Sequence, residues 1–361
     1  MRTGIANLPL HAGKCPRWLF EKMVALSQTI VELLVVEAGP AEVLRRLSDP
    51  FWFQAFGCVL GFDWHSSGLT TTVCGALKEA VRGCERDLGL FVCGGKGATA
   101  LKTPEEILRL GARYPLKADP EELVRASRLT AKVDQAAVQD GYDLYHHTFI
   151  FSSQGTWVVI QQGMNAAARR ARRYHWLSEA CRDFVVEPHI AVCCDARGLT
   201  LNLVAQESEA ARQSLPALTQ ERPEKLVADL RRLHDRILDL PDRHQLLLKD
   251  LDPGRLKTVF EKSYDRAPQD FVALLETPGV GPRGIRALSL IAELVYGTPL
   301  SYRDPARFAF AHGGKDGTPY PVDRATYEHS IRVLKRAVEQ SRLGYSEKRQ
   351  ALARLARYEG L

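Results

Sequence analysis

The chain has 361 residues, of which 45% are hydrophobic and 25% charged, with a formal net charge of +6. That length predicts two domains, each able to bury a core, and the composition is that of an ordinary globular protein. The charge is too small for a polyanion site built on bulk potential, so any such site must come from local clustering. The eight cysteines form no CxxC pair, and most sit in apolar context, as in AFGCVLGF. Buried free thiols are therefore expected, not a disulfide frame or a zinc ribbon. The N-terminal MRTGIANLPLHAG lacks an apolar signal core. The most apolar run, 23–36, is interrupted by Gln28 and Glu32 and is too short to span a bilayer. These features predict a cytoplasmic protein with no membrane partner.

In chain order, Pro16 starts a helix that runs to Glu37 and is ended by Gly39-Pro40. A second helix covers 41–47, and Asp49-Pro50 opens an aromatic segment, FWFQAFG. Ser67 or Thr70 caps a helix to Val81, leaving Asp63, His65 and Ser66 on the loop before it. The apolar run 88–93 reads as a buried strand ending in GGKG, a loop suited either to a phosphate or to an ordinary tight turn. Thr103-Pro104-Glu105-Glu106 has the pattern of a capping box, and another helix is expected over 120–139.

The strongest β signal is YDLYHHTFIF and TWVVIQQG around the turn 152–155. A four-residue loop there would pair Phe151 with Thr156, His146 with Gln161 and His147 with Ile160. Alternation places His146 and His147 on opposite faces. The segment 165–181 is expected as a helix with Arg169, Arg172 and Arg173 on one face, beside Tyr174, His175 and Trp176. Arginine next to aromatic rings suits a nucleic-acid backbone with exposed bases, and equally a solvated basic face. A polar linker bracketed by Leu215-Pro216 and Glu221-Arg222-Pro223 follows, and then only helical pattern. The expected fold class is α+β, with a mixed domain over 1–214 and an all-helical domain over 222–361.

Within the second half, LLETPGVGPRGIRALSLIAELVY reads as two helices joined by a tight loop. Pro278 ends the first helix, Gly279 and Gly281 permit the turn, and Pro282 opens the second. Gly279, Val280, Gly281, Arg283 and Gly284 would then offer backbone amides and one cation to a phosphate at a helix N-terminus. The pattern resembles the helix-hairpin-helix motif of DNA repair and recombination proteins, which implies binding to the DNA backbone. LKDLDPGRLKTVF, just upstream, reads as a degenerate partner of it. Helices are expected again over 320–342 and 346–358.

The first half carries polar residues where a plain scaffold would not place them: His11, Asp63, His65, Lys132, Asp134, Asp140, His146 and His147. Carboxylates and imidazoles converging on Mg²⁺ or Mn²⁺ can activate water, and a lysine can stabilise charge growing on phosphorus. Lys132, Asp134 and Asp140 are the candidate catalytic groups. Asp63, His65, His146, His147 and His11 are the candidate metal ligands. Asp134 and Asp140 share a site only if the helix ends between them, as Gly141 allows.

The segments LPLHAGKCPRWLF, RLSDPFWFQAFGCVLGFDWHSSGLTTTVCGALKEA, GGKG, SRLTAKVDQAAVQDGYDLYHHTFIF, WVVIQQGMN and ARRYHW resemble the domain-of-unknown-function family numbered 763. The resemblance covers nearly the whole chain and implies a prokaryotic protein whose polar motifs belong together. It transfers no catalytic residue. The leading expectation is a metal-dependent DNA nuclease active in repair or processing. The alternatives are a glycosylase using Asp323 and a non-catalytic DNA-binding protein.

Overall fold

The structure, a computed structural model, describes residues 15–62, 67–194 and 196–306, with residues 332, 334–336, 338 and 339 of a later helix. The chain begins with α1 (Arg17–Ser48), α2 (Pro50–Leu60), α3 (Gly68–Val81) and the single turn α4 (Glu85–Leu88). Strand β1 (Leu90–Lys96), helices α5 (Ala98–Leu101), α6 (Thr103–Arg113) and α7 (Pro120–Lys132), a π-helical turn at Val133–Ala137 and β2 (Val138–Gln139) come next. Strands β3 (Asp143–Ser152), β4 (Trp157–Asn165), β5 (Arg170–Leu177), β6 (Ala191–Cys193) and β7 (Leu201–Asn202) follow. Helices α8 (Glu209–Leu218), α9 (Pro223–Asp235), α10 (Asp242–Leu248), α11 (Pro253–Arg266), α12 (Phe271–Glu276) and α13 (Pro282–Leu294) complete the order. The fold is a mixture of α and β, as expected.

The helix break expected at Gly39-Pro40 is a sharp kink inside α1, with Gly39 at φ 81 and ψ 167. Asp49 caps α2 by accepting from the Phe51 and Trp52 amides, and Gly61 ends it in the left-handed region. The expected capping box at Thr103 is not formed. Thr103 donates instead to the Ala100 carbonyl, and Glu106 is drawn away to Lys78 and the Gly94 amide.

The main sheet runs β1-β3-β4-β5-β6 with antiparallel neighbours throughout. Helices cover both its faces, so the central strands lose the simple inside/outside alternation of a half-solvated sheet. Leu90, Val92, Ile150, Val158 and Ile160 join the cluster built on α1, α2 and α3. Phe91, Phe149, Phe151, Trp157, Val159, Tyr174 and Trp176 join a cluster that continues through α7 into α8–α13. Leu334 and Val338, four apart and so on one helical face, return to the first cluster. Burying each such side chain contributes roughly 1.5–3 kcal/mol.

Three local expectations are corrected. The β3–β4 loop is one residue shorter than expected: Phe151 pairs with Trp157, His147 with Gln161 and His146 with Gln162. Gly155, at φ 98, takes the left-handed position that a three-residue hairpin loop requires. The segment expected as an arginine-faced helix is the strand β5, and its alternation sends Arg172 and Arg173 to opposite faces of the sheet. Leu215 and Pro216, expected at the edge of a linker, are buried inside α8, which packs on α12 and α13. Between 209 and 306 every described element is helical. The helices expected over 320–342 and 346–358 fall mostly outside the described residues. Among the described residues no helix is long and apolar enough to cross a membrane. All eight cysteines are free, as expected.

Candidate functional site

Helix α7 places Ser127, Ala131 and Lys132 along one wall of a cavity of about 690 Å³. The opposite walls are α5, the start of β3 and the tip of the α12–α13 hairpin at Gly281 and Pro282. Much of the lining is apolar, from Ala100, Leu101, Pro104, Ala136 and Leu144.

A line of buried polar side chains leads from this cavity into the core. The Ser127 hydroxyl lies 2.8 Å from His147 Nε2, and His147 Nδ1 lies 2.9 Å from Gln161 Oε1. Gln161 Nε2 reaches Asp134 Oδ2 at 2.5 Å, and His189 Nε2 reaches Asp134 Oδ1 at 2.5 Å. The Trp176 indole N–H donates to Asp134 Oδ2 at 3.0 Å. Because an indole can only donate, Oδ2 is an acceptor, and Gln161 must turn its amide NH₂ toward it. The Gln161 carbonyl then faces His147, which fixes the ring proton on Nδ1. Nε2 is left as the acceptor for the Ser127 hydroxyl. Burial lowers the pKa of His147, opposed by the Gln161 hydrogen bond and the Asp134 charge, so the ring is neutral at pH 7.

Lys132 also opens on the cavity. Its ammonium donates to the Val280 carbonyl at 2.7 Å, and burial lowers its pKa. This bond ties α7 to the hairpin. Gln139 donates to the Pro282 carbonyl at 2.8 Å and accepts from Arg286 at 2.6 Å. Arg125 grips Glu276 at 2.7 and 2.9 Å. The hairpin is thus held from the side of α7 while its outer edge stays open.

On that outer edge Pro278, Gly279 and Arg283 are exposed. Gly279 sits at φ 88, and a Cβ there would meet Lys262 Cδ at 3.3 Å and Nζ at 3.5 Å. Val280 and Gly284 are buried, and Gly284 is glycine because a Cβ would strike Val259 at 2.9 Å. Upstream, α10 and α11 flank LDPG, the degenerate partner expected from the sequence, with Asp252 capping α11 through the Gly254 and Arg255 amides.

The other expected site residues are dispersed. Asp140 accepts from Arg172 at 2.8 Å, from the Tyr174 hydroxyl at 2.7 Å and from the Tyr142 amide at 3.0 Å. Arg172 also pairs with Asp304 at 2.8 Å and lies 4.5 Å from the Tyr142 ring. Burial raises the pKa of Asp140, with Arg172 and the hydrogen bonds opposing. Arg173, fully buried, donates to Thr70 and Gln54, and burial pushes its pKa down to about 10. Neither Arg172 nor Arg173 can reach a nucleic acid. Their assignment to binding fails because each guanidinium is buried against partners brought in from distant parts of the chain. Arg169 lies at φ 52 in the β4–β5 turn, away from the strand the other two occupy.

His146 points to the face opposite His147. Its Nε2 is 3.0 Å from the Thr148 hydroxyl, and burial pushes its pKa down to about 3. The described members of the expected metal set therefore do not converge. Asp134 and Asp140 are saturated by separate partners, and the two histidines are divided by the sheet. Among the described residues no three His, Cys, Asp or Glu side chains are grouped to hold a metal ion. Asp63, His65 and His11 lie outside the described residues, as does Asp323.

The GGKG loop resolves as packing. Gly94 donates to Glu106 at 2.7 Å and accepts from Lys78 at 2.8 Å, and a Cβ on it would lie 2.2 Å from the His147 carbonyl oxygen. Of the relay, Ser127, Gln161, His189 and Trp176 carried no assignment from sequence. The one signal for them was Gln161-Gln162, two amides inside the otherwise apolar TWVVIQQG. Gln162 serves the other face, accepting from Thr70 and donating to the Ser67 carbonyl at 2.9 Å.

The model of one family, described as a protein of unknown function, DUF763, matches residues 4–322. The chain belongs to the DUF763 family. The match spans β1 through α13, so hairpin, cavity and relay all lie within the DUF763 region. No curated protein and no solved structure matches the chain.

Proposed function

We propose that this DUF763 protein binds DNA through the phosphodiester backbone, in the cytoplasm, as part of DNA repair or processing. The observation that carries the reading is the outer edge of the α12–α13 hairpin. There an exposed Gly279 at φ 88 lies beside the Lys262 ammonium, with Arg283 exposed in the first turn of α13. The first amides of a helix have no intrahelical partner and carry the positive dipole end, so they suit a phosphate oxygen. Backbone binding of this kind reads no sequence, since phosphates are the same at every step.

Fluorescence anisotropy with duplex and single-stranded oligonucleotides tests the proposal. Affinity should fall as salt rises, and the Lys262→Ala, Arg283→Ala double variant should lower the slope of log K against log salt by roughly 1 for each phosphate it no longer neutralises. Unchanged affinity and slope in that variant would overturn the assignment.

The metal-dependent cleavage expected from sequence finds no converging donor set among the described residues, so no step is routed through an ion. Nicking of supercoiled plasmid with Mg²⁺ or Mn²⁺, abolished in a folded Asp134→Ala variant, would restore it.

A further inference from the structure

We propose that Ser127 is a nucleophile, with His147 as its general base, and that the cavity they line accepts an ester with a small apolar acyl group. This inference does not rest on DNA binding. It rests on the 2.8 Å approach of Ser127 to His147 Nε2 and on the proton placement imposed from the core. A serine whose hydroxyl only completes a packing arrangement can face any acceptor. Here the acceptor is an imidazole nitrogen whose partner nitrogen is held protonated by Gln161, which is in turn oriented by Asp134. Both Ser127 and His147 are nearly enclosed by protein, yet both border the cavity. Proton transfer from the hydroxyl to a neutral, positioned imidazole is the usual way to activate such a weak nucleophile.

The walls select the substrate. Leu101, Pro104, Ala131 and Leu144 present hydrocarbon, which favours an acyl chain over a dianionic phosphate. In the first step the Ser127 Oγ–H proton passes to His147 Nε2, Oγ bonds to the acyl carbon, and the carbon–oxygen bond to the leaving alcohol breaks. The leaving alkoxide takes the proton from Nε2. Water then enters by the same route: His147 accepts its proton, the hydroxide oxygen bonds to the acyl carbon, and Oγ leaves and recovers the proton. The cavity offers the Lys132 ammonium, which has N–H groups besides the one given to Val280, to the oxyanion that forms in each step.

Full-length protein treated with a fluorophosphonate probe should gain one adduct by intact mass, mapped to Ser127 by peptide sequencing. Ser127→Ala, confirmed as folded by thermal unfolding, should gain none there. In His147→Asn the labelling rate should drop roughly 10²–10⁴-fold, the range a general base supplies. p-Nitrophenyl butyrate should slow labelling of the wild type and be hydrolysed by it. An adduct mapped elsewhere or absent, which the wild-type protein alone decides, would overturn the proposal. So would an undiminished rate in folded His147→Asn. Abolished oligonucleotide binding with intact labelling would strike only the DNA reading.

Discussion

Two buried carboxylates, separated by a short turn of chain, have opposite fates in this fold. Asp140 sits in a clamp, where Arg172 spans it and Asp304 and every carboxylate oxygen accepts a hydrogen bond. Asp134 sits at the inner end of a line of neutral groups that runs outward to a cavity. The clamp is compensated internally and leads nowhere. The relay ends on a hydroxyl beside empty space. A buried acid therefore says little about function until its partners are traced, because the same residue type can close a knot or set a proton's position two side chains away.

The largest expected effect breaks the clamp. Arg172→Ala strands the Asp140 and Asp304 carboxylates in the core and should cost about 3–5 kcal/mol in urea unfolding. A cost below about 1 kcal/mol would mean that water reaches the pair. At the relay Asp134→Asn keeps the shape but turns one carboxylate oxygen into an NH₂, set either against His189 or against Gln161 and Trp176. That change should cost roughly 1–3 kcal/mol, less than the clamp, in the same unfolding measurement. Equal destabilisation at the two sites would erase the distinction between them.

Acid should act on the relay side of the molecule and its neighbour across the sheet. Burial depresses His147 and His146 from the ordinary histidine value of 6.5, the latter to about 3. Below pH 6.5 the unfolded chain takes up protons that the folded chain refuses, so stability falls from about pH 6.5 toward pH 3. His146→Gln should flatten that decline in unfolding measured across the range. An unaltered acid limb would show that His146 is solvated.

Smaller effects are expected where relay and hairpin meet. Lys132→Met removes the bond to the Val280 carbonyl and should cost about 1 kcal/mol. Its clearer signature is faster hydrogen exchange at 277–281 with little change in the sheet. Gly279→Ala forces a side chain into φ 88 and should cost about 1–2 kcal/mol. A neutral result would place the hairpin tip in another conformation.

Much of the architecture was legible. The β3–β4 hairpin, the kink at Gly39-Pro40, the proline-opened α7 and the α12–α13 hairpin all follow from rules acting over a few residues. The register of β3 against β4 was missed by one because Gly155 closes a tighter loop than the turn composition suggested. The helix misread over 165–181 has a different cause. Arg172 and Arg173 look solvated unless their partners are visible, and Asp140, Asp304 and Gln54 lie far away in the chain. Likewise Asp134 and His147 stood out as polar residues in unlikely places, whereas Ser127 and His189 looked ordinary until α7 and the sheet brought them into line.

What the sequence by itself determined was local: where helices start and stop, which strands alternate, and where glycine and proline permit a corner. These depend on φ/ψ preference and side-chain period, which act within a turn or two. Tertiary structure alone decided which charges are neutralised, which imidazole nitrogen carries its proton, and which polar side chains meet a cavity. Those outcomes depend on desolvation and on the meeting of residues distant in the chain, where a shift of one strand position exchanges the two faces of the sheet.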